Sequence, residues 1–289
     1  MRSEHVSPNP RSPILAPKIG QLLRGWREQR RLSQLELALQ AEVSTRHLSF
    51  VETGRATPSR SMVLHLADAL DIPLRERNQL LLAAGYAPVY GETALDSPAM
   101  RNVRTTVRHL LDAHEPNPAV VVDRYWNIIE ANAGATLFTE GLPEFLRTPT
   151  VNVMRVSLHP EGAARSIVNF AEWRAYLLGR LRREVAHSQD AALAALYAEV
   201  RAYEHAAAHD DDDDMEPLAA TPDREVVIPL RYQLGDTELT FLSTVAVFGT
   251  PHDITVAELA IELFFPADSA TAAVLRDRHS AQAILSIEP

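Results

Sequence analysis

From Ile19 to Gly85, apolar residues recur three and four positions apart in five short runs, each bounded by a polar cap, a glycine or a proline. In the first run Ile19, Leu22, Leu23 and Trp26 share a helical face, and Arg24, Arg27 and Arg30 are assigned to solvent. Ser33 opens the second run, with Glu36 completing a capping box. Ser44 opens a third, which Gly54 stops. A fourth follows Pro58 through Leu64 and Leu70, and a fifth ends at Gly85. The spacings predict a small all-α domain.

Beyond the proline- and glycine-bearing stretch 85–100 the period changes. "AVVVD" and "WNIIEAN" read as a hairpin of strands, and residues 223–268 as three longer strands separated by Gly-Asp and Gly-Thr-Pro turns. Helical patterns run between them from Arg165 to about His187 and from Ser188 to about His209. Strands at both ends with long helices between predict an α+β domain on an antiparallel sheet. The expected organisation is a disordered arm at 1–17, a helical domain at 18–88, a linker at 89–98 and the α+β domain at 99–289.

Composition bounds the reading. At 289 residues and 46% hydrophobic, the chain can bury two cores. It has no cysteine, which excludes disulfides, thiolate catalysis and cysteine-ligated zinc, and suits a reducing cytoplasm. The arm is rich in proline and serine and has no apolar run of signal-peptide length. No segment approaches the roughly 20 apolar residues of a membrane span, so a soluble, cytoplasmic protein is expected. The net charge of -10 conceals an asymmetry: +4 over residues 1–90 and -14 over 91–289. Only the first part tolerates a polyanion.

Two helix caps eleven residues apart, Ser33 and Ser44, have the spacing of a helix-turn-helix. Small Ala38 permits close helix approach, and Val43, Leu48 and Val51 lock the second helix down. That leaves Thr45, Arg46, Ser49 and Phe50 outward, near the helix end that reaches base edges in the major groove. Arg46 could read guanine for about 1–3 kcal/mol of discrimination. Gln34, Arg55, Thr57, Ser59 and Arg60 are placed to hold phosphates.

With these residues in view, "LSQLELALQAEVSTRHLSFVETGRATPSR" resembles the helix-turn-helix of the XRE (lambda-repressor-like) family, through its "SQ" start, Ala38, Glu52, Gly54, Arg55 and Pro58. "STRHLSFVETGRATPS" with "RERNQLLLAAGYAPVY" is similar to the MmyB-like branch. Glu42 departs from the family's usual turn glycine; left-handed backbone there would cost roughly 1 kcal/mol. Downstream, "VVVDRYWNIIEANAGATLFTEGL" and "TVAELAIELFFPADSATAAVL" resemble the C-terminal ligand-binding domain of MmyB-like regulators. The resemblance implies a PAS-like fold, helices against one face of the sheet, and an apolar pocket for lipophilic ligands such as fatty acids. Trp126, Phe138, Phe170, Trp173, Leu177, Phe241, Phe248, Phe264 and Phe265 could wall such a pocket, with His159, Asn169 and Arg174 as polar candidates.

Other constellations are weaker. His205, His209 and Asp210 to Asp214 could hold a divalent metal, but a self-repelling solvated loop is the simpler reading, so no metal and no cofactor is assigned. Hydrolase elbows, phosphate loops and GxGxxG are absent. His109 and His114 are expected at the surface of a helix. The reading is a homodimeric DNA-binding regulator, not an enzyme, on palindromic or direct-repeat operator DNA with half-sites about 34 Å apart. Two alternatives stand beside it: an enzymatic C-terminal domain, and a helical domain that binds protein instead of DNA.

Overall fold

The computed structural model of the protein describes residues 18–188, 190–204 and 227–285. The expected disordered arm and the His205, His209 and Asp210 to Asp214 cluster lie outside these residues. The chain divides into two compact units between Tyr90 and Gly91.

The first unit holds α1 (Ile19–Gln29), α2 (Gln34–Gln40), α3 (Thr45–Glu52), α4 (Arg60–Ala69) and α5 (Leu74–Ala83). The hydroxyls of Ser33 and Ser44 accept hydrogen bonds from the N–H groups of Glu36 and His47, and Ser59 caps α4 in the same way. Gly54 and Gly85, at φ +72° and +83°, let the chain leave α3 and α5. Glu42 takes φ +50° in the turn between α2 and α3, so the left-handed backbone is built on a residue with a Cβ. The core gathers Leu23, Trp26, Leu37, Ala38, Leu48, Val51, Leu66 and Leu80. Gly20 sits where α1 meets α3: an added Cβ would lie 2.4 Å from the Val51 carbonyl oxygen.

The α1 arginines differ from their solvent assignment. Only Arg24 is exposed, paired with Glu28 at 2.7 Å. Arg27 is 7% exposed, because it lies one turn beyond Leu23 and therefore on the packed face. Arg30 donates to the carbonyl oxygens of Leu70 and Asp71 at 3.1 and 3.0 Å.

The second unit opens with α6 (Arg101–His114), β1 (Ala119–Val122) and β2 (Ile128–Ala131). Three short helices follow, α7 (Thr136–Thr139), α8 (Glu144–Arg147) and α9 (Val153–Leu158), then α10 (Phe170–Ser188) and α11 (Ala191–Arg201). The chain ends with β3 (Leu230–Leu234), β4 (Thr237–Ala246), α12 (Ile254–Ala257), β5 (Ala260–Pro266) and α13 (Ser269–Leu285). The strands form one antiparallel sheet in the order β2-β1-β5-β4-β3, so strands from the two ends of the unit pair at its centre.

Strand alternation divides the packing between two faces. Val120, Val122 and Phe264 join the core with Trp173, Leu177 and Leu181 of α10. Ala119, Val121 and Ile261 pack against Val107 and Leu111 of α6. Helical cover therefore lies on both faces, where the resemblance implied one. The helical pattern read from Arg165 becomes α10 only at Phe170, because Val168 N–H donates to the Arg231 carbonyl and Ile167 bridges Tyr232. Likewise β5 starts only at Ala260, because Asp253 caps α12 through Thr255 N–H at 2.9 Å. His114 is buried, 3.0 Å from the Phe264 carbonyl oxygen and edge-on to Phe265; only His109 is exposed.

Candidate DNA-reading helix and ligand cavity

In α3 the buried side is Leu48, Val51 and Glu52. Helical spacing then carries Thr45, Arg46, Ser49 and Phe50 to the other side. Arg46 is exposed, while Thr45, Ser49 and Phe50 are half-buried. The Arg46 guanidinium lies over the Phe50 ring at 5.4 Å, one turn along, which holds an otherwise flexible cation against a flat support. It has no carboxylate partner among the described residues. Arg55 and Arg60, flanking the loop that leaves α3, are also exposed and without an ion pair there. By contrast, Arg24 and Arg77 are paired with Glu28 and Asp68. The unit thus keeps Arg46, Arg55 and Arg60 available to an external anion.

A buried cluster holds α3 from behind. Arg27 donates through Nε and Nη2 to the two carboxylate oxygens of Glu52 at 2.7 and 2.9 Å, and through Nη1 to the Leu32 carbonyl oxygen at 2.8 Å. Gln34, one of the phosphate candidates, donates its amide to Glu52 Oε2 at 2.8 Å. Thr57 is exposed, and the Ser59 hydroxyl is already used as the α4 cap.

In the second unit a cavity with about 620 Å³ of space, part of it open solvent, lies between α10 and the sheet. Of the candidate wall residues, Phe138, Trp173, Leu177 and Phe264 line it. Val120, Ile128, Val153, Ile167, Leu230 and Tyr232 do so as well, and sequence reasoning did not single these out. The remaining candidates lie elsewhere. Phe241 is wholly buried, edge-on to Phe138 at 5.7 Å. Phe170 packs on the core, and Phe248 and Phe265 belong to the opposite face of the sheet. His159 makes edge-on ring contacts with Phe145 and Tyr203. Asn169 ties α10 to β3 by accepting from Arg231 N–H and donating to the Pro229 carbonyl. Arg174 donates to the Arg201 carbonyl oxygen at 3.1 Å.

Trp126 stands behind the wall. Its backbone, at φ +66°, is left-handed, a conformation that costs of order 1–3 kcal/mol in a bulky residue. Its indole N–H donates to Glu184 at 2.8 Å, and the Arg180 guanidinium lies 4.2 Å above its ring. Arg180 also reaches Glu184 at 3.4 Å and donates to Glu262, a buried carboxylate on the cavity wall. Burial pushes the Glu184 carboxyl above its ordinary range; the indole and Arg180 oppose that shift and Glu262 adds to it. Glu262 carried one signal in the sequence: it is a lone charge inside the apolar run "AIELFF".

Among the described residues, no cluster of His, Cys, Asp and Glu is arranged to hold a metal ion. Nor is any described helix long and apolar enough to cross a membrane.

A capped helix-turn-helix with uncompensated cations, in one chain with a sheet domain enclosing an apolar cavity, defines the class of ligand-sensing, DNA-binding transcription regulators. Residues 18–80 match the family model of a helix-turn-helix domain, and residues 103–277 match that of the MmyB-like transcription regulator ligand binding domain. The chain belongs to the MmyB-like transcription regulators. A search of curated proteins gave no match.

Proposed function

We propose that the protein is a cytoplasmic, homodimeric regulator that reads operator DNA with α3 and responds to a small apolar ligand in the cavity of its second unit. Arg46 carries the DNA half of this reading: it is exposed, unpaired and supported on Phe50 at the start of a helix whose other side is locked into the core. Thr45, Ser49 and Phe50 complete the base-reading set, and Arg55, Thr57, Ser59 and Arg60 hold phosphates. Gln34 joins them only by sharing its amide with Glu52. One module makes few base contacts, so two copies on half-sites about 34 Å apart supply the specificity.

The β2-β1-β5-β4-β3 order fits a PAS-like scaffold. The cavity walls suit the hydrocarbon tail of a fatty acid or related acyl compound, and the role we assign to the cavity is binding, not turnover. Ligand alters operator affinity only by binding two arrangements of the dimer unequally.

The test is an anisotropy titration with duplexes that the protein selects from a random pool. Affinity should fall steeply between 50 and 200 mM salt. Arg46→Ala should lose about 1–3 kcal/mol of preference at one position per half-site. Equal weakening on all sequences would make Arg46 a phosphate contact, and salt-insensitive or absent binding would reject the DNA reading. Operator affinity that stays the same with saturating ligand would reject the sensing role.

A further inference from the structure

Read from sequence, residues 89–98 are a linker. In the structure much of that stretch is tied down, and the ties change owner at one peptide bond. On one side, the Asn78 side chain of α5 accepts from the N–H groups of Val89 and Tyr90 at 3.0 and 3.2 Å and donates to the Tyr90 carbonyl oxygen at 2.8 Å. On the other, the Gly91 carbonyl oxygen accepts from Ile254 N–H at 2.8 Å, where Gly91 forms a parallel bridge to Asp253. Asp253 Oδ2 takes both the N–H and the hydroxyl of Thr93, at 3.1 and 2.7 Å, while Oδ1 caps α12. The approach is close: a Cβ added at Gly91 would lie 3.2 Å from that same Oδ2. Arg104 of α6 then donates to the carbonyl oxygens of Leu95 and Ser97, and Leu95 packs on the cluster of Val107 and Leu111. Each of these bonds lies within one unit.

We propose that Tyr90–Gly91 is the whole joint between the units, latched by Asn78 and Asp253, and that this short joint makes the homodimer selective for the spacing of its two half-sites. The proposal rests on the reading of the protein as a homodimer on DNA, paired through its second units. A flexible ten-residue linker would span roughly 16–19 Å in each copy and let the DNA-binding units follow half-sites moved apart by several base pairs. A joint of one link supplies only the distance between neighbouring Cα atoms, about 3.8 Å, so it permits rotation with almost no reach. One added base pair shifts a half-site by about 3.4 Å and turns it by about 34–36° around the duplex. The dimer then has to strain its latches or release one half-site. Asp253, 160 residues beyond Thr93 in sequence, is thus a positioning residue that acts through the joint and not through a base.

The experiment measures the affinity of the full chain, by anisotropy, for the operator it selects and for versions with one, two or three base pairs added between the half-sites. The unaltered protein should lose about tenfold or more at two added pairs. Inserting Gly-Ser-Gly-Ser between Tyr90 and Gly91 lengthens the joint by up to about 13–14 Å in each copy with both latches intact, and should cut that loss to about threefold or less. Asp253→Ser keeps a hydroxyl to cap α12 but removes the oxygen that holds Thr93. Its loss should fall between the two, with faster hydrogen exchange at the Thr93 N–H. An unaltered protein that accepts two added pairs within about twofold would overturn the proposal, and so would an insertion variant as selective as the unaltered protein. Asp253→Ser with the full loss would remove Asp253 from the latch. The insertion decides the question even if Asp253→Ser does not fold. Binding of one copy to one half-site, seen in the mass of the complex, would reject the dimeric reading itself, a result distinct from a dimer indifferent to spacing.

Discussion

Each unit buries an arginine against carboxylate, and the two arrangements end differently. Around Glu52 every partner is supplied from within: Arg27 takes both oxygens, and Gln34 adds a third donor. Around Arg180, one guanidinium is divided between Glu184 and Glu262, and Glu262 also lines the cavity. A saturated cluster fixes geometry and has nothing more to bind; here it fixes the relation of α1, α2 and α3, and so the presentation of Arg46. A cluster in which one cation is divided between two carboxylates is held less firmly.

The sharpest way to break this comparison is to remove each arginine. Arg27→Met leaves Glu52, whose side chain is 1% exposed, without its cation, a loss expected to cost about 3–5 kcal/mol. Hydrogen exchange should show α1 to α3 opening while the second unit keeps its protection. Arg180→Met should cost less, about 2 kcal/mol, because Glu262 borders the cavity, Glu184 is 36% exposed and Glu184 keeps its indole donor. Equal losses would mean that the two clusters do the same work.

A smaller effect tests the turn that sets the angle between α2 and α3. Glu42→Gly removes the Cβ from a residue at φ +50° and should stabilise the first unit by about 0.5–1 kcal/mol, read from its urea midpoint with the m-value unchanged. No gain would mean that the Glu42 side chain offsets the strain through contacts of its own.

How far the sequence could be read follows from the range of the forces involved. The caps at Ser33 and Ser44, the glycine exits and the strand hairpins were legible because each is decided within a few residues. Arg27 was misplaced because its partner lies 25 residues away, although its spacing from Leu23 already set it on the apolar face. His114 was misplaced for the same kind of reason, its acceptor lying 150 residues on. In the cavity, residue type suggested aromatic walls, but the face of the sheet decided membership. Phe264 points in and Phe265 points out, a distinction that one step of strand register controls. The resemblance gave the cavity's existence; it gave no hint of Glu262.

The smallest effect concerns how the divided cluster responds to pH. Because the folded protein raises the pKa of Glu184 above that of the unfolded chain, the native state binds its proton more tightly. The contribution to stability is therefore complete below the ordinary carboxylate range, near pH 4, and is lost as pH rises through the raised value. Glu184→Gln removes this titration while keeping an oxygen that can accept from the Trp126 indole. Over pH 4 to 8 the variant should gain on the unaltered protein, by less than about 1 kcal/mol because the Glu184 side chain is 36% exposed. Thermal midpoints of the second unit, taken in steps of pH, measure the difference. A gap that narrows as pH rises would mean that Glu184 is held ionised, with Arg180 serving it before Glu262.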